Sequence, residues 1–263
     1  MGGRGLGRAL SGHRLTIKAA TSTTVPGYPT REVVQEMTWR ADDNQSFHLR
    51  KDTHEQYGQE VILHDGWLYT RLRHSKFVRR RPREGEADQI LDRMASYLPD
   101  YAALLGPFLK MEPAGKGKLG SREGAKLRLS LRETPLPAGP AARGPARRWR
   151  SSVAVTALSG EILFDLLTGV PLSVDLKARL TFKAPRPGKV APANGIPSVL
   201  SDKLKGTMTL ALTQRVDQVG EVGALKPPPA EDTVTDVRRR RLDHERQLFS
   251  GERTLPEDWS PEP

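Results

Sequence analysis

The sequence predicts an α+β protein that is mainly β, built around one antiparallel sheet of about 10–11 strands. Three observations support this fold class. Apolar and polar residues alternate with a period of two along most of the chain, short Gly-containing turns separate the alternating runs, and one long stretch has helical spacing instead. Strict alternation is typical of antiparallel sheets that face water on one side, so one dry face and one wet face are expected.

The amino-acid composition excludes several classes of protein and kinds of site before any helix or strand is assigned. The 263 residues carry 42 Lys and Arg against 31 Asp and Glu, which gives a net charge of +11. No apolar run approaches the roughly 18 residues of a membrane helix, which excludes an integral helical membrane protein. Because the chain has no cysteine, disulfides, thiol nucleophiles, iron–sulfur sites and Cys-based zinc sites are excluded.

The first half of the chain begins with a segment, residues 1–12, that is rich in Gly and Arg and is expected to be flexible. No apolar stretch follows it before His13, so an export signal is not visible in this sequence. Asp65-Gly66 forms the clearest two-residue hairpin turn, because Asp-Gly readily adopts positive φ angles. The predicted strands of this half are Leu15 to Ala20, Met37 to Ala41, Phe47 to Leu49, Val61 to Leu63, Trp67 to Tyr69, Lys76 to Arg80 and Lys126 to Leu131.

Residues 86–111 break the two-residue rhythm. Their apolar residues recur at spacings of three and four, which predicts an amphipathic helix broken near Pro99. A single helical insert within a meander must pack on the dry face of the sheet, where it would act as a lid.

The second half gives the strongest β signal. Seven consecutive even positions from Val170 to Phe182 are apolar and the intervening positions are mostly polar. Thr168-Gly169 is the turn before this strand, and Gly206 to Thr213 is a further strand. Ser159-Gly160 is expected to be a turn between the runs Val153 to Leu158 and Glu161 to Leu167.

The domain prediction follows from these elements. Residues 13–219 form one sheet domain, 220–234 a Pro-rich linker, 235–250 a helix, and 251–263 a flexible acidic tail. The helix is expected to dock through an apolar stripe that includes Leu248 and to turn Arg238, Arg239 and Arg240 to solvent.

The segment GEILFDLLTGVPLSVDLKARLTF, from Gly160 to Phe182, resembles strands of the LolA/LppX-like lipoprotein carrier superfamily, in which a Thr-Gly turn precedes Pro-Leu. The DGWLY hairpin, Asp65 to Tyr69, is also similar to that family's pattern. The resemblance covers residues 13–219. It implies a curved, unclosed half-barrel with the helical lid on its concave face, an apolar cavity that binds acyl chains, and a location in the bacterial periplasm or outer envelope. A cytoplasmic location is the alternative.

Catalytic and metal motifs are missing from the sequence. The six histidines form no HExxH or HxH pair, and no nucleophile elbow, Walker loop or dinucleotide fingerprint occurs. We therefore expect a monomeric protein that is not an enzyme and has no catalytic residue, metal or cofactor.

The leading hypothesis is a carrier of lipid or lipoprotein acyl chains, because a helical insert of this length would cover only part of so large a dry face. The alternative is an envelope scaffold or peptide-binding module with a filled interior. The residues expected to line the cavity are Met37, Trp39, Trp67, Tyr69, Leu172, Val174, Leu176, Leu180, Phe182, Met208, Leu210 and Leu212, and those expected to form the lid are Met94, Leu98, Tyr101 and Leu105.

The basic clusters admit three interpretations. Arg79, Arg80 and Arg81, together with Arg238, Arg239 and Arg240, are predicted to meet anionic membrane surfaces. Ordinary solvated arginines are the alternative interpretation. Nucleic-acid binding is disfavoured, because aromatic residues make up only 6% of the chain and few lie beside the basic runs.

Overall fold

The computed structural model describes residues 10, 12–42, 46–54, 58–72, 75–94, 97–136, 149–185 and 200–234. The predicted C-terminal helix at 235–250 and the acidic tail lie outside these residues, as does nearly all of the predicted N-terminal segment. The predictions for those parts of the chain therefore stay predictions.

Within the described ranges, twelve strands form a single sheet in the order β12-β6-β5-β4-β3-β2-β1-β11-β10-β9-β8-β7. Neighbours are antiparallel except the short β12, which pairs parallel with β6. The two edges, β12 and β7, do not pair with each other, so this sheet is unclosed and the predicted mainly β class is confirmed. The strands are β1 His13–Thr24, β2 Arg31–Ala41, β3 Phe47–Thr53, β4 Gly58–His64, β5 Trp67–Leu72, β6 Phe77–Arg80, β7 Leu109–Leu119, β8 Arg122–Leu131, β9 Ala154–Asp165, β10 Pro171–Pro185, β11 Leu200–Asp217 and β12 Thr233–Val234.

The pairing of β1 with β11 joins the two halves of the chain. It runs from Arg14 opposite Asp217 to Thr24 opposite Thr207. The chain therefore meanders outward from β1 to β6, crosses the sheet through the helical insert, and meanders back from β7 to β11. The longest strands lie at the centre of the sheet.

One face of this sheet carries the core, and we call it the inner face. Directly paired residues share a face, so Leu15 of β1 lies beside Trp39 of β2 and Val216 of β11. All three are buried, whereas Arg14, Arg40 and Arg215, one position away, are exposed and belong to the outer face.

Two nine-residue helices lie over the inner face: α1, Glu86–Met94, and α2, Tyr97–Leu105. Buried residues of both helices, such as Ile90 and Leu105, belong to the same hydrophobic cluster as the inner face. The interruption between the helices precedes Pro99, which is instead tolerated in the first turn of α2. The helical insert ends with a 3₁₀ turn, Gly106–Phe108, and not at Met111, because β7 begins at Leu109.

The predicted turn at Ser159-Gly160 is wrong, because β9 runs through it without a break. Gly160 pairs with Leu176 on one side and Leu129 on the other. A Cβ at this position would collide with the Asp175 carbonyl oxygen. The glycine therefore allows a close approach of two strands and does not mark a change of direction.

Two strands were not predicted at all. One is the edge strand β7, and the other lies in the segment expected to be a Pro-rich linker. Within that segment Leu225 is buried and its N–H donates to Asp42 Oδ2 at 3.1 Å. Thr233 and Val234 then pair with Phe77 and Val78. Residues 220–234 thus pack against the sheet domain.

Candidate functional site

Most of the predicted cavity residues come together on the inner face. Leu176 lies opposite Leu212, Leu180 opposite Met208, and the neighbouring pairs continue the apolar surface to β2. The predicted residues that this cluster contains are Met37, Trp39, Leu172, Val174, Leu176, Leu180, Phe182, Met208, Leu210 and Leu212, with Met94, Tyr101 and Leu105 from the lid. The side chain of Leu98 lies outside the described part of the structure.

The inner face is tightly covered. Leu172 and Leu180 have no solvent-accessible surface and Trp39 has 1%. Protein atoms therefore surround these side chains on every side in this conformation. The lid also contributes two buried residues that were not among its predicted members, Ile90 and Leu91.

The prediction missed other members of the inner face. Leu15, Ile17, Ala19 and Leu49 lie at alternate positions of predicted strands, so the two-residue period could have identified them, whereas Val61, Leu68, Val155 and Leu158 do not follow strict alternation.

Trp67 and Tyr69 do not line the inner face, which corrects the prediction. The Asp65-Gly66 turn places Leu68 opposite Leu63 and Tyr69 opposite Ile62, so Leu68 faces inward and its two neighbours face outward. The sequence Trp67-Leu68-Tyr69 is apolar at consecutive positions, so alternation alone cannot assign its faces.

On the outer face these residues form a separate cluster, the aromatic cluster, which consists of Ile62, Trp67, Tyr69 and Phe77. The guanidinium carbons of Arg79 and Arg81 each lie 4.0 Å from the ring centroid of Trp67, and that of Arg71 lies 4.2 Å from the ring of Phe77. Stacking on a ring leaves the edge of a guanidinium group open to hydrogen bonds, and Arg81 Nη1 donates to the Gly66 carbonyl at 3.2 Å. Arg79 and Arg81 therefore present positive charge at a fixed place.

Arg80 has a different role from its two neighbours. Its two terminal nitrogens donate to the Glu86 carboxylate at 2.7 and 2.8 Å, and Glu86 also accepts from the Arg83 N–H. The bond from Arg80 lowers the pKa of Glu86. We call this contact the lid latch, because it ties the first turn of α1 to β6 and leaves Arg80 little freedom to meet a membrane.

The inner face is not wholly apolar at the end of the sheet where β1 begins. His13 is fully buried and lies edge-on to Trp39 with ring centroids 4.9 Å apart. Burial lowers the pKa of His13, and the Leu10 backbone opposes this to a smaller extent. Gln214 is also buried, and its Nε2 donates to the Pro171 carbonyl at 2.9 Å.

The Thr168-Gly169 turn is held by Asp165. The carboxylate accepts from Arg122 Nη2 at 2.7 Å, from Thr168 Oγ1 at 2.6 Å and from Thr168 N–H at 3.0 Å. Burial acts to raise the pKa of Asp165, but these bonds outweigh it and lower the pKa overall. The turn presents Leu166 and Leu167 to solvent.

The outer face contains an open groove of about 660 Å³. It crosses β2, β1, β11, β10 and β9 and is separate from both the inner face and the aromatic cluster. The residues that line it are Ala20, Thr21, Ser22, Glu32, Val34, Ala157, Ser159, Lys177, Arg179, Thr209 and Ala211, together with Leu158, Ala178 and Leu210, whose side chains belong to the inner face.

The histidines of β3 and its following turn have separate partners. His48 Nε2 lies 2.6 Å from Glu60 Oε1, and His54 Nδ1 accepts from the Val34 N–H. Among the described residues, no group of three His, Asp or Glu could hold a metal ion. The described helices include none that is long and apolar enough to cross a membrane.

No protein-family model matches the chain, and no curated protein does. Solved structures that match include lipoprotein LppX of Mycobacterium tuberculosis, with 11% identity, 85% of this chain and 95% of that chain covered, and a TM-score of 0.27. LprF of Mycobacterium bovis matches with 12% identity, coverage of 85% and 92%, and a TM-score of 0.29. A LolA superfamily protein of Nitrosomonas europaea matches with 8% identity, coverage of 88% and 96%, and a TM-score of 0.22. These names agree with the family that the sequence resembles, but structural similarity at such TM-scores carries no argument about this chain.

Proposed function

We propose that the protein is a non-enzymatic carrier that binds an acyl chain of a lipid or lipoprotein between the inner face and helices α1 and α2. The observation that carries the proposal is the continuous apolar inner face, which extends from β5 to β9 and packs against helices α1 and α2. A ligand that matches it must be long, apolar and free of internal hydrogen-bonding groups, which describes an acyl chain.

Because the interior is filled in this conformation, an acyl chain must take the place of lid side chains. Ile90, Leu91 and Met94 bury their apolar surface against the sheet. An acyl chain contributes about 0.8 kcal/mol for each CH₂ group buried, so a long chain offsets the loss of several lid contacts. This replacement of lid side chains by an acyl chain requires α1 to move away from the sheet. The hydrogen bonds of the lid latch, between Arg80 and Glu86, must then break.

A second candidate function is a scaffold for a protein partner, with an interior that stays filled. The full burial of Leu172 and Leu180 favours this alternative, since a packed core needs no ligand. The two functions differ in one measurable property, which is the uptake of lipid.

Native mass spectrometry tests the carrier function. The full chain is incubated with vesicles of phosphatidylglycerol and phosphatidylethanolamine and separated from them, and we expect added mass equal to bound lipid. Ala178 lies on the inner face and Ala211 on the outer face of neighbouring strands. Ala178→Leu should reduce uptake because it narrows the binding space, whereas the matched control Ala211→Leu should not. Protein that carries no lipid under any of these conditions would support the filled scaffold instead.

We also propose that the aromatic cluster side of the molecule meets anionic headgroups through Arg79 and Arg81. Each Lys or Arg near an anionic surface contributes about 1 kcal/mol. The fixed positions of these two guanidinium groups over Trp67 support the proposal, whereas the contact of Arg80 with Glu86 argues against including Arg80. Arg238, Arg239 and Arg240 lie outside the described residues and remain predicted contributors.

Vesicle sedimentation tests this contact. The double variant Arg79→Glu/Arg81→Glu should bind phosphatidylglycerol vesicles more weakly than the unchanged protein, and high salt should have the same effect. Arg14→Glu/Arg215→Glu changes the net charge equally at two exposed positions elsewhere on the outer face. Equal losses in the two double variants would mean that the overall charge, and not this cluster, attracts the protein to the vesicles.

We also propose a location in the bacterial periplasm or outer envelope, which the resemblance to lipoprotein carriers implies. Fractionation of cells that express the full-length gene with a C-terminal tag tests this location. Recovery in the cytoplasmic fraction alone would contradict it.

A further inference from the structure

The outer-face groove is formed by two parallel rows of directly paired residues that run across five strands. Each row takes one residue from each of β2, β1, β11, β10 and β9. The first row is Val34, Ala20, Ala211, Lys177 and Ser159, and the second is Glu32, Ser22, Thr209, Arg179 and Ala157. With a strand spacing of about 4.8 Å, five strands give the groove a length of about 19 Å.

The groove exists because its floor consists of short side chains while its border does not. Ala20, Ser22 and Ala211 contribute at most one heavy atom beyond Cβ. The next row toward the start of β1 carries larger charged groups, among them the ion pair of Lys18 and Glu36 at 2.7 Å. The floor is therefore low and mostly apolar, with charged side chains along one border.

The backbone of the floor limits what can bind. Its N–H and C=O groups are engaged in the pairing of β2 through β9. An extended peptide lying across these strands would find no backbone partners for its own polar groups, which is costly when they are buried. An α-helix satisfies its own backbone, and small residues beneath it allow a close approach.

The charged side chains along the groove further limit which helices can bind there. Lys177 and Arg179 are two residues apart on β10, point to the same face and are exposed. In the described part of the chain, no carboxylate forms an ion pair with either of them. Glu32 lies at the opposite end of the groove, on β2. An occupant with acidic residues toward β10 complements this arrangement.

We propose that this groove docks an amphipathic α-helix of a partner protein. At 1.5 Å per residue, a length of about 19 Å corresponds to about 13 residues. The helix presents small and apolar residues to the floor and acidic residues to Lys177 and Arg179. This interface is on the face opposite the acyl-chain site, so it does not depend on the carrier function.

The test is a selection from a displayed library of 14-residue helical peptides that have an Ala/Leu face and randomised charged positions, against the full-length protein. Enriched peptides should carry acidic residues at helical spacing and should bind Lys177→Glu/Arg179→Glu at least about tenfold more weakly. Ala211→Trp should also abolish binding by filling the floor. Thr213→Trp is the matched control, because Thr213 is an exposed outer-face residue two positions along the same strand.

Circular dichroism and thermal unfolding of each variant establish that it is folded before binding is measured. The proposal is overturned if no peptide is enriched, or if enriched peptides bind the groove variants as strongly as the control. It is also overturned if Ala211→Trp lowers lipid uptake and leaves peptide binding unchanged, since the groove would then hold an acyl chain.

Discussion

Asp165 lies at the end of β9, where its carboxylate accepts hydrogen bonds from Arg122 and from two atoms of Thr168. Its side chain is 1% exposed, so the negative charge depends on these donors. Asp165→Asn keeps the shape but removes the charge opposite Arg122. We expect the free energy of unfolding to fall by about 3 kcal/mol, measured by urea denaturation.

The control for this variant is Glu123→Gln, which removes an exposed carboxylate 3.7 Å from Lys118 on the neighbouring strand and should change stability little. If Asp165→Asn lost no more stability than this control, the backbone bonds of the turn would be sufficient to hold it.

His13 provides a test of stability against pH. Burial lowers its pKa in the folded protein, so between that pKa and the unfolded value of about 6.5 the unfolded chain binds more protons. The free energy of unfolding should therefore fall as the pH drops below about 7. His13→Phe retains a ring against Trp39 and should remove this part of the pH dependence, measured by urea denaturation at a series of pH values.

The carboxylates have lower unfolded pKa values than His13, so their effect begins at lower pH. Glu60, Glu86 and Asp165 have lowered pKa values, so their stabilisation is present above about pH 4.5 and is lost as the pH falls through their folded pKa values. His13→Phe should leave this acidic loss unchanged. Replacing the exposed His54 by Asn should leave the pH dependence that we assign to His13 unchanged. If this pH dependence disappeared in the His54 variant, it would come from His54 and not from His13.

Among the elements, those with strict alternation were predictable from the sequence. β10 begins one residue after Val170, contains the rest of the alternating run to Phe182 and buries one face of it, as the pattern requires. The failures have particular causes. Gly160 has the sequence signature of a turn but serves as a point of close strand contact. β7 was not predicted because it lies at the edge of the sheet. Most of its side chains are exposed there, so buried and exposed positions do not alternate along it.

The faces of β5 and the packing of residues 220–234 were not predictable for a different reason. Trp67 and Tyr69 are apolar on both sides of Leu68, and only the register set by Asp65-Gly66 assigns them to the outer face. The burial of Leu225 depends on a bond to Asp42, which is far away in the sequence. Contacts between residues far apart in the chain leave no local pattern in the sequence from which they could be predicted.

The lid latch gives a prediction for α1. Glu86→Gln removes the charge that Arg80 contacts and weakens the tie between α1 and β6. We expect faster hydrogen–deuterium exchange in residues 86–94 and unchanged exchange in β1, β10 and β11. Glu84→Gln, an exposed change in the turn before α1, is the control. Faster exchange throughout the sheet would show instead that α1 and the sheet open together.

At the scale of the whole molecule, the sheet and the helical lid bury a common core, so neither can move without exposing apolar surface. The lid contributes few residues to this core and the sheet contributes most of it. If the protein is a carrier as proposed, this asymmetry would let the two halves of the sheet, joined by β1 and β11, keep their pairing when the lid moves. A carrier requires such a division between a stable sheet and a cover that is less strongly held.

The final prediction concerns the sheet and the helical lid together. A ligand that binds only the folded protein raises its unfolding temperature, by an amount that grows with ligand concentration. If palmitic acid enters between the inner face and α1, we expect a higher unfolding temperature, slower exchange in β1, β10 and β11, and faster exchange in residues 86–94 as the lid gives up its contacts. Ala178→Leu should weaken all three effects, because it occupies space on the inner face.

If palmitic acid raised the unfolding temperature without changing exchange in the lid, binding would occur elsewhere on the molecule. If it changed neither quantity, the interior would be a permanent core, and the filled scaffold would be the better account of this fold.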